Sequence, residues 1–128
     1  MELKLFVCKH CGNVVWKVVD KGVPVMCCGQ KMEELVPNTT DAAQEKHVPV
    51  VEKTPHGSGS SVTVKVGSVE HPMLPEHYIS FIAAVDGDTV TMKFPKPGDK
   101  PELKTFVRGD KVEAYEICNL HGYWKGEG

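Results

Sequence analysis

Four of the five cysteines crowd into the first quarter of the chain, as Cys8-x2-Cys11 followed fifteen residues later by the adjacent pair Cys27-Cys28. A segment of that size has too little apolar surface to fold by burial alone, so it needs a metal, a partner subunit or both as a staple. The fifth cysteine, Cys118, stands near the other end in Cys118-Asn119-Leu120-His121, downstream of His47, His71 and His77. A set of four thiolates and a mixed thiolate–imidazole set hold metals for different purposes. The first closes its coordination sphere with protein; the second can leave a position open.

Residues 1–36 read as short β pieces, Leu3–Val7 and Asn13–Val19, punctuated by Gly12, Gly22-Val23-Pro24 and Gly29. Pro37-Asn38-Thr39-Thr40-Asp41 opens a linker over residues 37–45, and Ala42–Lys46 has the composition of a single helical turn. From residue 46 onward strands alternate with turns. His47–Lys53, Ser61–Val66, Tyr78–Val85, Thr89–Phe94, Leu103–Val107 and Lys111–Ile117 are the predicted strands. Asp86-Gly87-Asp88 is a hairpin signal, because Asp-Gly tolerates positive φ. Thr54–Gly59 reads as a flexible loop. The fold class is all-β: a small metal-binding domain at 1–36, then an antiparallel β-sandwich at 46–128.

A net charge of −2 supplies no global basic field for nucleic acid or an anionic membrane surface. No apolar run approaches the roughly 18 residues that span a bilayer. The N-terminus enters the cysteine motif within eight residues, leaving no room for a signal peptide, so a cytoplasmic location is expected. In a reducing compartment close cysteine pairs serve as metal ligands more often than as disulfides, and an odd count argues the same way. A tetrahedral set of four sulfurs accepts zinc and iron alike. Adjacent cysteines normally point apart, so Cys27-Cys28 is expected to distort such a site.

The second set is richer than zinc uses. His47, His71, His77, His121 and Cys118 make five donors, which suit a square-pyramidal ion with its sixth position vacant. Iron accepts imidazole and thiolate together. Four neutral imidazoles and one thiolate leave a ferrous centre at +1, a charge that favours a small anion. Lys46, which adjoins the first of these ligands, is either a solvated surface lysine or a source of positive potential near the open position; Glu45 is either a surface residue or a carboxylate able to occupy the sixth position. His10, which would over-fill the thiolate cage, and His56, in a Gly/Ser loop, are bystanders. Two non-catalytic readings compete. A copper electron carrier also uses a β-sandwich with a late Cys and His, but leaves two histidines unexplained. A zinc-stabilised binding module lacks a basic or stacking surface.

Taken together, Cys8-x2-Cys11, Cys27-Cys28, Glu45-Lys46-His47-Val48-Pro49, Gly67-Ser68-Val69-x-His71-Pro72-Met73, His77 and Cys118-Asn119-Leu120-His121-Gly122-x-Trp124 span essentially the whole chain. The set resembles the desulfoferrodoxin family of two-iron superoxide reductases. The resemblance implies a desulforedoxin-like Fe(Cys)4 domain followed by an immunoglobulin-like, seven-stranded catalytic domain of the neelaredoxin type. It makes His47, His71, His77 and His121 equatorial ligands and Cys118 the axial one. It also implies superoxide as substrate, Lys46 drawing it in and aiding protonation, and Glu45 binding the oxidised iron between turnovers. A homodimer and a small electron donor such as rubredoxin complete the expectation.

Overall fold

The computed structural model describes every residue from Met1 to Gly128. Two compact units result: Glu2–Val36, and Pro37–Gly128 together with Met1. In the small unit, β1 (Leu5–Val7) lies between β2 (Val14–Trp16) and β5 (Glu33–Glu34), all antiparallel. Val14–Trp16 is the only part of the predicted Asn13–Val19 strand that pairs; Val18 and Val19 are exposed. A second hairpin joins β3 (Met26–Cys27) to β4 (Gln30–Lys31) through Cys28 and Gly29.

The large unit holds one helical turn, α1 (Gln44–His47), and seven strands in two sheets. β6 (Pro49–His56), β7 (Gly59–Val66) and β10 (Glu102–Val107) form the first in the order β10-β7-β6. β8 (Ile79–Asp86), β9 (Thr89–Lys93), β11 (Glu113–Cys118) and β12 (Gly122–Glu127) form the second in the order β12-β11-β8-β9. All pairings are antiparallel. The all-β expectation therefore stands, with the seven strands the resemblance implied. No helix is long and apolar enough to cross a membrane.

The alternation of β7 places Val62, Val64 and Val66 on one face, opposite Ile82 and Ala84 of β8 and Val112, Ala114 and Cys118 in and beside β11. Each buried Val or Ile among them contributes about 1.5–3 kcal/mol. The two ends of β8 differ in phase: Ile79 faces the same core as Ile82 and Ala84, although alternation alone would turn it away. The reason is a bulge. Ile117 pairs with Phe81 but Cys118 pairs with Ile79, leaving Ser80 unmatched, and its hydroxyl donates to Ile117 O at 3.2 Å. Bulges re-aim side chains, and this one sits where β11 delivers Cys118.

Three local expectations need correction. His47, expected to open a strand, closes α1 instead, because Pro49 cannot extend a helix and the strand starts there. Thr54–Gly59 is not a flexible loop: β6 runs through His56, which pairs with Gly59 across a two-residue turn with Gly57 at φ 60°. Finally, β12 was not expected at all. A Cβ on Gly126 would lie 2.1 Å from Pro49 O, so the chain approaches β6 too closely for any side chain there.

Candidate metal centres

The four cysteines converge because each pair is carried by a turn of suitable handedness. After Cys8, Gly12 at φ 84° closes a knuckle in which Cys8 N–H donates to Asn13 O (2.9 Å) and Gly12 N–H to Cys8 O (2.8 Å). The Cys11 N–H thereby points at Cys8 Sγ, 3.5 Å away. The Cys27-Cys28 pair works differently. Cys28 takes φ 53° and Gly29 φ 72°, so the β3–β4 hairpin turns through two residues of positive φ. That is the hand of a type I′ turn. The turn folds Cys28 back until its sulfur is 4.0 Å from that of Cys27, which overcomes the expected divergence of neighbouring side chains.

Cys11 Sγ and Cys27 Sγ are 3.6 Å apart, and all four sulfurs lie within 4.8 Å of one another. All are free thiols. Four ligands at about 2.3 Å from a central ion, arranged tetrahedrally, stand about 3.8 Å from each other, so the donor set fits one metal ion. Electrostatics agree. The Cys11 N–H draws the Cys8 thiol down to about 6. The sulfurs of Cys11 and Cys8 push Cys28 up to about 12. The first thiolate forms readily and the last needs a cation. Cys8 is buried, whereas Cys11 and Cys28 are exposed.

In the large unit four imidazoles form a closed ring. Centroid separations run 4.8 Å from His47 to His71, 4.6 Å to His77, 5.1 Å to His121 and 4.9 Å back to His47. Successive rings are close to perpendicular, at 72°, 81°, 78° and 85°. The diagonal from His47 to His77 is 6.4 Å. The donor atoms of His47, His77, His121 and Cys118 all fall within 4.8 Å of one another, and His71 completes the square through its neighbours.

Hydrogen bonding fixes which nitrogen faces inward. His47 Nδ1 donates to Ala43 O and His71 Nδ1 to Pro72 O, both at 2.7 Å, so each presents an unprotonated Nε2. The Nε2 atoms of His71 and His77 are buried with no hydrogen-bond partner. His121 turns the other way: its Nδ1 lies 3.1 Å from His47 Nε2 and 3.8 Å from Cys118 Sγ. Two nitrogens at about 2.1 Å from one ion, at right angles, stand about 3.0 Å apart. Orphaned, inward-facing nitrogens around a buried sulfur are what a metal ion would satisfy. Both donor sets suit iron.

Comparison with known proteins bears directly on these two donor sets. Residues 39–127 match the family model described as Desulfoferrodoxin. The chain belongs to the desulfoferrodoxin family. A desulfoferrodoxin of Nitratidesulfovibrio vulgaris is 45% identical over 126 residues, 98% of this chain and 97% of that protein. One from Desulfarculus baarsii is 44% identical, covering 98% and 97%. The crystal structure of the superoxide reductase from Treponema pallidum is similar with a TM-score of 0.74 and 39% identity, covering 98% of this chain and 99% of that one.

In this desulfoferrodoxin-family chain, burial disfavours the charged form of three of the histidines. It lowers His47 and His77 from the ordinary value and His71 to about 4. Burial raises the Cys118 thiol, opposed by the N–H groups of Leu120 and His121. A bound cation would reverse that balance in favour of the thiolate. Trp124 braces two of the rings: it stacks on His47 at 5.0 Å, and its Nε1–H donates to His121 O at 3.0 Å.

Glu45 and Lys46 are exposed on α1. Their backbone rests on the turn after β7. Glu45 O accepts Val69 N–H (2.9 Å) and the Ser68 hydroxyl (3.3 Å), and a Cβ on Gly67 would come within 2.5 Å of that same oxygen. The Lys46 charge also reaches the rings, lowering the basicity of His47 and His77. His10 is exposed, and His56 packs edge-on against Phe106 at 6.1 Å.

Sequence reasoning missed Glu116. It is fully buried two residues before Cys118, on the strand face shared with Ala114, and neither carboxylate oxygen has a partner. Burial pushes its carboxyl up to about 9, so it is a neutral acid at pH 7. A glutamate between tyrosine and isoleucine in a predicted strand gives no warning of that, because alternation there is masked by flanking apolar residues.

Proposed function

We propose that this chain is a superoxide reductase, converting one superoxide, one electron and two protons into one hydrogen peroxide. The observation that carries the reading is the square of four inward-facing imidazoles set against the buried Cys118 sulfur. Iron held by His47, His71, His77, His121 and Cys118 would supply the electron and a coordination position for the anion. A copper carrier with two histidines and one cysteine would leave two orphaned rings.

The chain's own residues then divide the work. His47 and His71 are held by carbonyl acceptors, so their donor nitrogens are pre-aimed. Lys46 brings a positive charge to the His47–His77 side, which speeds encounter with an anion and delivers a proton to the departing product. Glu45, one residue earlier on the same turn, would offer such an iron a carboxylate between turnovers. Residues 37–45 link a Cys8/Cys11/Cys27/Cys28 iron domain at 1–36 to the catalytic domain at 46–128.

The small domain's role is electron storage or stapling, since four thiolates leave no position for substrate. Exposed Val18, Val19, Val23 and Met26 on so small a unit support a homodimer. Free cysteines throughout support a reducing, cytoplasmic setting. There the protein would detoxify superoxide with electrons from rubredoxin or another small reductase. The test combines metal analysis with stoichiometry. Two irons per chain, one peroxide per superoxide and no oxygen evolved are expected. Copper or zinc alone, or half a peroxide with oxygen released, would overturn the proposal.

A further inference from the structure

The four histidines are not secured alike. His47 and His71 each donate their remaining ring N–H to a carbonyl. His121 is held through its own carbonyl by Trp124. His77 makes no such ring hydrogen bond, its Nε2 being buried without a partner like that of His71, and the residue sits on the segment Leu74–Tyr78 rather than on a strand. Its backbone is tied locally to Leu74, by bonds of 2.9 and 3.1 Å, but that bridge only closes the loop on itself. Something else must set the loop against the Cys118–His121 turn.

We infer that Asn119 is the positioning residue for His77, an assignment that rests on reading His77 as a metal ligand. Asn119 follows Cys118 directly and brackets His77 from both sides. Its Nδ2 donates to Glu76 O at 3.1 Å, its Oδ1 accepts Tyr78 N–H at 2.8 Å, and its own N–H donates to Tyr78 O at 3.1 Å. The amide orientation follows from its partners, since a carbonyl needs the side-chain amino group and an amide N–H needs the oxygen. No other side-chain type supplies one donor and one acceptor at that reach without adding charge or length. A single residue thus couples the sulfur-bearing turn to the imidazole-bearing loop across 41 positions of sequence. The relative placement of Cys118 and His77 is set by this clamp.

The opposite end of β8 offers a matched control. There the Asp86 carboxylate accepts the N–H groups of Arg108 (2.8 Å) and Gly109 (3.0 Å), again clamping a neighbouring turn. An eight-residue strand separates the two clamps by roughly 25 Å. Asp86→Ala should therefore cost similar stability while leaving the donor square untouched.

The experiment uses iron-loaded protein. It follows release of each iron to a chelator, the position of the thiolate-to-iron absorption, and Tm. In Asn119→Ala the His/Cys iron should leave roughly 3–10-fold faster, below the roughly 10–100-fold expected when a partner bonded directly to a ligand is removed. Its absorption band should shift, and the iron of the four-cysteine cage should be unaffected. Asn119→Asp keeps the acceptor for Tyr78 N–H but loses the donor to Glu76 O, so it should fall between wild type and Ala. Asp86→Ala should lower Tm with release and band unchanged. The inference fails if Asn119→Ala releases iron at the wild-type rate with an unshifted band, or if Asp86→Ala moves both equally. Should wild-type protein hold no iron among the histidines, the ligand reading fails instead, and the two failures are told apart by that one measurement.

Discussion

The two metal centres differ most in how their donors are brought together. Cys8, Cys11, Cys27 and Cys28 come from two tight turns within a short stretch of sequence, and the turns themselves aim the sulfurs. His47, His71, His77, Cys118 and His121 come from a helical turn, two loops and the end of a bulged strand, placed by a sandwich core. The first arrangement can exist in a peptide-sized unit, but every direction around the ion is taken by sulfur. The second requires a whole fold, and what it gains is asymmetry: a sulfur on one side of a square of rings. A closed cage stores an electron or staples a fold. An asymmetric square can bind something small.

The contrast is challenged hardest by Cys118→Ser. Loss of the thiolate removes a direct donor, so reductase activity should fall by more than the roughly 100-fold that marks groups one shell out. The thiolate-to-iron absorption should vanish while the spectrum of the four-cysteine cage persists; retention of both activity and band would refute the assignment. The reciprocal variant, Cys11→Ser, alters an exposed member of the cage. It should change or abolish the cage spectrum yet leave peroxide yield in a single turnover at the wild-type value. A loss of single-turnover yield would mean that the centres are not separable.

A smaller effect is expected of Lys46→Ala. Removing one charge near the His47–His77 side should slow the second-order reaction with superoxide about tenfold at low ionic strength, at the low end of electrostatic steering. The remaining rate should depend less on salt. An unchanged low-salt rate excludes steering. Glu116→Leu tests the core beside the large site rather than its chemistry. Replacing an unpartnered buried carboxyl with a side chain of similar size should stabilise the fold by about 1–3 kcal/mol, read as a higher Tm. A lower Tm would mean that the carboxyl has a partner in solution.

The smallest effect belongs to the turn after β2. The Gly22 N–H and Lys17 hold the Asp20 carboxyl below its ordinary range. A lowered folded value means that the contribution is present above the unfolded aspartate pKa and is lost as pH falls through the folded one. Asp20→Asn should therefore lower the small unit's melting point slightly at neutral pH. The difference should fade as the solution is acidified below the usual aspartate range. A difference that grows on acidification would reverse the sign.

The donor residues were legible in the sequence because metal ligands are chemically conspicuous and their spacing is local, as in Cys8-x2-Cys11 and Cys118-x2-His121. The strands with clean alternation, such as Ser61–Val66, were legible for the same local reason. What escaped depended on tertiary contact or on backbone handedness. β12 was not among the predicted strands, and its Gly126 answers to the close approach of Pro49. Cys27 and Cys28 were expected to distort the site because nothing in their identity announces a positive φ at Cys28. Asn119 reads only as part of the Cys118–Gly122 motif, and its bonds to Glu76 and Tyr78 appear only once the fold brings them beside it.

The division between a closed and an open centre is decided by mixing fully reduced, iron-loaded protein with less than one equivalent of superoxide under anaerobic conditions. Both iron absorptions would be followed from the first millisecond. Oxidation should begin at the His/Cys centre, at a rate proportional to superoxide concentration, with the four-cysteine centre unchanged or following later. Immediate, concentration-dependent oxidation of the four-cysteine centre, with the His/Cys centre lagging, would mean that the closed cage is the one that meets superoxide.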